Sequence, residues 1–339
     1  MTTLDHRFYP HILDLIFETA PRMSLFALRT ASHAFHDRAD HALAKHLSIS
    51  IHPAIRGQVP TSTIGDSDSD DSHSENGYQD SRTQILGLDE RRRLPAFPNN
   101  ITTRTARHLK KRQLLILGSA RVVDRVGGMS ADYLNLLTPS FNLDTYRVMS
   151  TSRWEPIASA YLPFTCKTVV LFGSEDPPVG YQTLRDARKL VVRLSSKDQD
   201  VGKRLMVLFH LTRTTHGGRI VLICDPDAMD SLLSEFPTCF PFLDTDWHII
   251  IVDFPCDLAH DHQSNPAACA ARKLARLRQM IQSNYHGLDF NYTRGMPFTD
   301  TQLQTLQNYV SRFSLMSREQ YLSTLSPEEA ILETVEPTA

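Results

Sequence analysis

The sequence predicts an α/β protein built on an open, mostly parallel sheet. Continuous apolar runs recur at 168–173 (TVVLFG), 189–194 (KLVVRL), 219–224 (RIVLIC) and 248–254 (HIIIVDF). Because these runs are apolar at successive positions instead of alternating, they are typical of strands covered on both faces, as in parallel sheets. Segments with helical spacing lie between several of them. Helices that alternate with buried strands favour helical layers on the sheet, as in Rossmann-like folds.

Two further segments complete the predicted sheet. The run LLILG at 114–118 is predicted as a strand, and TYRVM at 145–149 is a weaker candidate. Successive candidate strands start about twenty to thirty residues apart, a spacing that degenerate leucine-rich repeats also show. The repeat pattern L-x-x-L-x-L-x-x-N is absent, so an open sheet is favoured over a repeat horseshoe.

Length, charge and cysteine usage limit the classes of function. With 339 residues the chain is long enough for about two domains. A formal net charge of -2 argues against nucleic acid or an anionic membrane as the partner. No apolar run approaches the ~20 residues that span a bilayer, and acidic residues interrupt the first twenty, so no secretory signal is expected. Five cysteines without a CxxC pair predict reduced thiols, a cytoplasmic or nuclear protein and no zinc cage.

Residues 10–47 predict three short helices. Pro10 suits a first helical turn, and apolar residues follow at helical spacing until Pro21 ends the run. A second helix is expected after Ser24, and a third from about Ser32, because both residues are good N-caps. Helices this short are marginal alone, so they need tertiary packing or a partner.

The stretches FYPHILDLIFETA and SLFALRTASHAFHDRAD resemble the F-box, above all divergent F-box-like proteins of fungi. The match is a Pro, an Ile/Leu pair, Ile-Phe, Ser-Leu, Leu-Arg, and Ala-Ser before an aromatic residue, which is Phe35 where Trp is common. It covers residues 8–47. The resemblance implies docking to the Skp adaptor of a cullin-RING ubiquitin ligase, with the rest of the chain selecting a protein substrate. The implied partner-binding residues are Pro10, Ile12, Leu13, Ile16, Phe17, Leu25, Leu28 and Phe35.

An acidic serine tract follows the helical segment. DSDSDDSHSE at 66–75 contains five acidic residues and four serines. It cannot bury enough apolar surface to offset the entropy of ordering, which predicts a disordered insertion and linker over 57–100. Ser67 and Ser72 precede an acidic residue by three positions and are candidate phosphorylation sites, although a solvated loop is the plainer interpretation. The predicted divisions of the chain are therefore 1–50 (helical module), 57–100 (insertion) and 101–335 (α/β domain with C-terminal helices).

The usual catalytic signatures are absent: no G-x-G-x-x-G, P-loop or G-x-S-x-G motif occurs. The remaining candidates are Asp176, Asp225 and Asp253, which follow predicted strands. An α/β enzyme would hold a metal or phosphate at these strand ends, although helix capping explains the same positions. Histidines and aspartates at 33–41 have a spacing that could gather metal ligands, but a polar helix side is favoured.

The resemblance, together with the missing catalytic signatures, therefore implies a non-enzymatic F-box-like adaptor that needs no cofactor or metal and recognises an unknown protein partner. The alternative is a small-molecule-binding or catalytic α/β protein that uses the strand-end acids. The two hypotheses differ in the expected exposure of four side chains, Ile12, Ile16, Leu25 and Leu28. A docking face leaves them partly exposed, whereas a core subdomain buries them.

Two capping boxes predict helices near the C-terminus. Ser317 is followed by Gln320, and Ser326 by Glu329, the spacing at which each side chain bonds the other residue's backbone N–H. These helices are expected to pack back on the sheet, after a preceding helical pattern at 299–313.

Overall fold

A computed structural model describes residues 10–52, 82–87, 94–97, 109–126, 142–149, 165–172, 187–194, 217–225, 247–253 and 310–335, with isolated helical positions between 271 and 308. The helices are α1 Pro10–Thr19, α2 Arg22–Ala31, α3 His33–Leu43, α4 Lys111–Leu117, α5 Arg318–Ser323 and α6 Pro327–Thr334. The strands are β1 His46–His52, β2 Arg82–Gly87, β3 Val122–Val126, β4 Asn142–Met149, β5 Thr165–Phe172, β6 Lys189–Leu194, β7 Arg219–Cys224, β8 His248–Val252 and β9 Phe313–Met316. Within these ranges no helix is long and apolar enough to cross a membrane.

The described strands form one nine-stranded sheet in the order β2-β1-β3-β4-β5-β6-β7-β8-β9. β2 runs antiparallel to β1, and every other neighbouring pair is parallel. The predicted α/β class is confirmed: helices precede a mostly parallel sheet, and further helices follow it.

The order of the parallel strands follows the chain without a reversal. Doubly wound sheets of the Rossmann type reverse their order, and they bind ligands in the crevice at the reversal. The described strands contain no reversal and so form no such crevice. A sequential order of parallel strands also occurs in stacked repeats, whose spacing the sequence shares although their L-x-x-L-x-L-x-x-N pattern is absent.

The run at 114–118 is not the strand that its apolar residues predict. Lys111–Leu117 forms α4, and the strand follows at Val122–Val126 as β3. A short apolar run is compatible with either state, and periodicity does not separate them. The backbone N–H of Lys110 donates to Gln113 Oε1 at 2.8 Å, which supports the first turn of the helix.

The predicted 57–100 insertion contains a strand, β2. β2 pairs with β1 along its whole length, and Ile85, Leu94 and Phe97 are buried in the same core. The predicted insertion therefore extends too far toward its C-terminal side. RTQILG carries only two large apolar side chains, so its own sequence does not reveal a strand that pairing with β1 stabilises. The acidic stretch at 66–75, with Ser67 and Ser72, lies outside the described residues.

The helical pattern predicted over 299–313 ends earlier than expected. Described positions up to Val310 are helical, but Phe313 begins β9, which pairs with β8 at the register Ile249↔Phe313. Val310 and Phe313 are both buried. Both residues therefore reach the core as predicted, but from different elements.

The sheet has two covered faces. We call the side packed against the N-terminal helices the first face; it is lined by a buried row that includes Leu47, Val123, Tyr146, Val169, Leu190, Ile220 and Ile249. The opposite side, the second face, carries Val170, Val191, Val221 and Ile250, which cluster with Tyr321 of α5 and Leu325. The C-terminal helices thus pack back on the sheet as predicted.

Deleting residues 60–80 should change the melting temperature by less than about 2 °C, which is on the order of 1 kcal/mol or less. The deletion keeps β2 whole, and a shorter connection between β1 and β2 costs slightly less entropy to close. Deleting 60–84 also removes half of the register with β1 and should lower the melting temperature by several degrees. Thermal unfolding followed by circular dichroism compares the two. Equal losses from both deletions would contradict this division of the segment.

Candidate partner-binding surfaces

Helix α1 exposes an apolar stripe. Ile12, Leu15 and Ile16 are 36%, 58% and 41% exposed, and their spacing places them on one side of the helix. Met23, at the start of α2, is 59% exposed. The sequence prediction included Ile12 and Ile16 but missed Leu15, although the 3.6-residue period places Leu15 beside both.

The other side of α1 faces the interior. Leu13, Phe17 and Leu25 of α2 are buried, and Phe35 meets Phe17 edge-on with ring centroids 5.4 Å apart. Leu28 packs partly buried against the same core. These side chains hold the three helices together and have little surface to offer a partner. Of the predicted partner-binding residues, Pro10, Ile12 and Ile16 are the exposed ones.

Asp40 of α3 joins the helical module to the α/β domain. Its carboxylate is fully buried and accepts hydrogen bonds from Arg29 Nε of α2 at 2.6 Å and from Arg112 Nη2 of α4 at 2.9 Å. A buried carboxylate without a compensating charge is strongly unfavourable, so the two arginines are what allow Asp40 to lie in the interior. Asp40 therefore serves an ion-pair network. Among the described residues no group of three or more ligands could hold a metal ion.

A cavity of about 480 Å³ opens between the helical module and the residues that follow α4, from Gly118 to Arg121. Two of its acids are already paired, since Asp14 lies 3.0 Å from an arginine and Glu18 lies 2.9 Å from Lys45. His41 Nδ1 contacts Ser119 Oγ at its edge. Ser119 follows the C-terminus of α4, where the helix carbonyls disfavour a developing negative charge. The Ser–His pair is therefore poorly placed for nucleophilic catalysis.

The strand-end acids Asp225 and Asp253 lie near one another, each beside Arg318. Arg318 Nε is 3.1 Å from Asp253 Oδ2, and the backbone N–H of Arg318 donates to Asp253 Oδ1 at 2.7 Å. Asp225 Oδ1 is 3.6 Å from Arg193 Nη2 and 3.9 Å from Arg318 Nη2. These acids hold the first turn of α5 against the sheet instead of forming an open cation site. Asp176 lies outside the described residues.

One row of neighbouring residues on the second face changes from polar to apolar along the sheet. It begins with Ser48, Asp124 and Arg147 on β1, β3 and β4, and continues as Val170, Val191, Val221 and Ile250 on β5 to β8. α5 covers the apolar half through Tyr321. Arg147, the last residue of the polar half, lies beside the end of α6.

Arg147 and Asp124 form a buried charge pair. Arg147 Nη1 is 3.4 Å from Asp124 Oδ2, and His46 Nε2 lies 3.0 Å from the same oxygen. Burial lowers the pKa of the Arg147 guanidinium, an effect that the Asp124 charge opposes. The guanidinium also lies over the Phe172 ring, 5.3 Å from its centroid. The sequence prediction missed these residues, whose signal is charge inside the strand segments VVDRV and TYRVM.

Three cations of the second face hold α6. Lys189 Nζ lies 2.5 Å from Glu333 Oε1, Arg193 Nη1 donates to the Thr334 carbonyl at 3.5 Å, and Arg147 Nη2 donates to the Val335 carbonyl. We call Arg147, Lys189 and Arg193 the α6 site. Tyr321 donates its hydroxyl to the other Glu333 oxygen, and burial beside that carboxylate raises the tyrosine pKa, so Tyr321 stays a donor.

The described cysteines are not suited to nucleophilic chemistry. Burial raises the pKa of the Cys166 thiol to about 12. Burial also raises the pKa of Cys224, with Asp225 and Asp253 adding to the effect. Because the thiolate is the reactive form, both side chains act as small buried apolar groups near neutral pH.

Comparisons with protein-family models, with curated proteins and with solved structures find no match for this chain. Function is therefore inferred from the geometry and from the F-box-like pattern of residues 8–47.

Asp253 has a backbone φ of 60°, in the left-handed region, where Asp and Asn are tolerated better than Ala. Asp253→Ala should lower the free energy of unfolding by about 2–3 kcal/mol, because it loses the hydrogen bond to Arg318 N–H and strains the backbone. Asp253→Asn, the matched control, keeps the acceptor and the tolerated conformation and should cost less than about 1 kcal/mol. Urea unfolding measures both, and equal losses would contradict the assigned role.

Proposed function

We propose that this chain is a non-enzymatic F-box-like adaptor. In this proposal α1 and α2 dock to the Skp-type adaptor of a cullin-RING ubiquitin ligase, and the α/β domain binds the protein to be modified. The observation that carries the proposal is the exposed stripe Ile12, Leu15 and Ile16, on a helix whose sequence resembles the first part of an F-box.

The stripe is larger than internal packing requires. α1 already uses Leu13 and Phe17 for the core, so it is apolar on two sides. A helix that is apolar on more than one side normally has a second neighbour, and exposed apolar surface of this kind marks interaction sites. A helical subdomain that only capped the sheet would have no need of the second side.

The attachment of the helices suits an adaptor. Arg29, Asp40 and Arg112 link α2, α3 and α4 through a buried carboxylate. Glu18 of α1 pairs with Lys45 just before β1 at 2.9 Å. These contacts fix the docking helices relative to the first face of the sheet. A fixed orientation would let a bound ligase reach a partner held by the same chain.

The alternative, a catalytic or small-molecule-binding α/β protein, has less support. Asp225 and Asp253 are neutralised by arginines. The described strands also lack the reversal at which open α/β sheets bind ligands. No observation favours a reaction at these acids over their role in holding α5.

Ile16→Asp should weaken binding of a purified Skp-type adaptor at least about 30-fold, or about 2 kcal/mol, because interface energy concentrates in a few apolar anchors. Ile16 is 41% exposed, so the free energy of unfolding should change by no more than about 0.5 kcal/mol. Isothermal titration calorimetry measures the affinity, and chemical unfolding measures the stability.

Leu115→Asp is the matched control, because Leu115 of α4 is 58% exposed and lies outside the F-box-like segment. It should leave adaptor affinity unchanged. Leu13→Asp places a charge in the core and should destabilise the protein by several kcal/mol. Absence of binding by the unaltered chain, or equal loss from Ile16→Asp and Leu115→Asp, would refute the proposal.

A further inference from the structure

α6 is held on the second face mainly by polar contacts. Its buried residues are Leu332 and Glu333, while Ile331 and Val335 are 58% and 53% exposed. α5 has an apolar anchor in addition to the contacts of Arg318, because Tyr321 is 2% exposed within an apolar cluster. The two C-terminal helices therefore differ in the physical basis of their attachment.

Glu333 is central to the attachment of α6. Within the described part of the chain, Lys189 has this carboxylate as its ion-pair partner. Arg147 and Arg193 instead have acids on the sheet, Asp124 and Asp225, and offer their remaining donors to carbonyls of α6 and Val335. The α6 site is thus built to receive one carboxylate and two main-chain carbonyls.

We propose that the α6 site binds an acidic peptide segment of the partner protein, and that α6 is an internal ligand that occupies the site until that segment displaces it. The segment would carry an acidic residue followed by two residues whose backbone carbonyls are free to accept hydrogen bonds, as Glu333 is followed by Thr334 and Val335. The inference deepens the proposed function, since the partner is the protein that the α/β domain recognises.

Exchange of α6 for such a segment is energetically feasible. A buried ion pair contributes little net stability, because desolvation of the two charges offsets their attraction. A peptide that carries a carboxylate at the equivalent position therefore replaces Glu333 beside Lys189 at a small cost in free energy. α5 stays in place over the apolar row because Tyr321 remains in its cluster and Arg318 remains bound to Asp253.

The test uses the full chain and a fluorescein-labelled peptide, SPEEAILETV, with the sequence of residues 326–335. The unaltered protein should bind it weakly, because its own α6 competes. Glu333→Gln weakens the internal contact, raises the open fraction and should strengthen binding about tenfold or more. Glu328→Gln is the matched control: Glu328 is exposed on the same helix, and its loss should leave the affinity unchanged.

A charge exchange tests the site itself. Lys189→Glu should lose affinity for the original peptide. Its affinity for the peptide SPEEAILKTV, in which lysine replaces the glutamate equivalent to Glu333, should rise at least about tenfold. A contact with only a structural role would not switch peptide specificity. Failure of either variant to bind any peptide while its circular dichroism spectrum stays native would overturn the proposal.

Hydrogen exchange on the unaltered protein gives a result that needs no variant. Amides of α6 should exchange faster than those of α5 and β6, because α6 opens separately from the rest of the fold. Equal protection of α5 and α6 would overturn the proposal. Adaptor binding through Ile16 should persist in the Glu333 and Lys189 variants. Loss of peptide binding with adaptor binding intact would therefore refute this inference alone, and the opposite result would refute the proposed function alone.

Discussion

The second face of the parallel sheet has to be kept from water, and much of the structure follows from how that is achieved. Val170, Val191, Val221 and Ile250 lie side by side on four strands and are at most 7% exposed. Strands that are apolar on both sides are stable only with a cover on each. The N-terminal helices contribute to the cover of the first face, and α5 supplies part of the cover of the second.

The charged part of the second face sets the position of α6. The row that is apolar on β5 to β8 begins with Asp124 and Arg147, so the cover has to change from apolar to polar at β4. At this point the Val335 carbonyl accepts from Arg147, while Glu333 and the Thr334 carbonyl meet Lys189 and Arg193 of β6. Buried charge pairs of this kind contribute little net stability, because desolvation of the charges offsets their attraction. The same property makes α6 the exchangeable part of the cover.

The position of the proposed docking surface also depends on charged contacts. Asp40 of α3 binds arginines from α2 and α4. Glu18 of α1 pairs with Lys45 just before β1, so the exposed stripe of α1 is also held in a defined position beside the sheet. α1 divides its apolar residues between the core and solvent. Leu13 and Phe17 give the module its fold, and Ile12, Leu15 and Ile16 are left for a partner. One helix therefore contributes both to stability and to the proposed docking surface.

The sequence by itself determined the features that depend on neighbours close in the chain. The apolar runs of β5 to β8 specify buried parallel strands, and Ser317 and Ser326 accept from the N–H groups of Gln320 and Glu329 as the capping boxes predict. The tertiary structure decided the state of short segments such as α4, β2 and β9. It also decided which charges meet, because Arg147 and Lys189 bind residues 188 and 144 positions away. Local periodicity carries no information on contacts between segments so distant, since only the strand order brings them together.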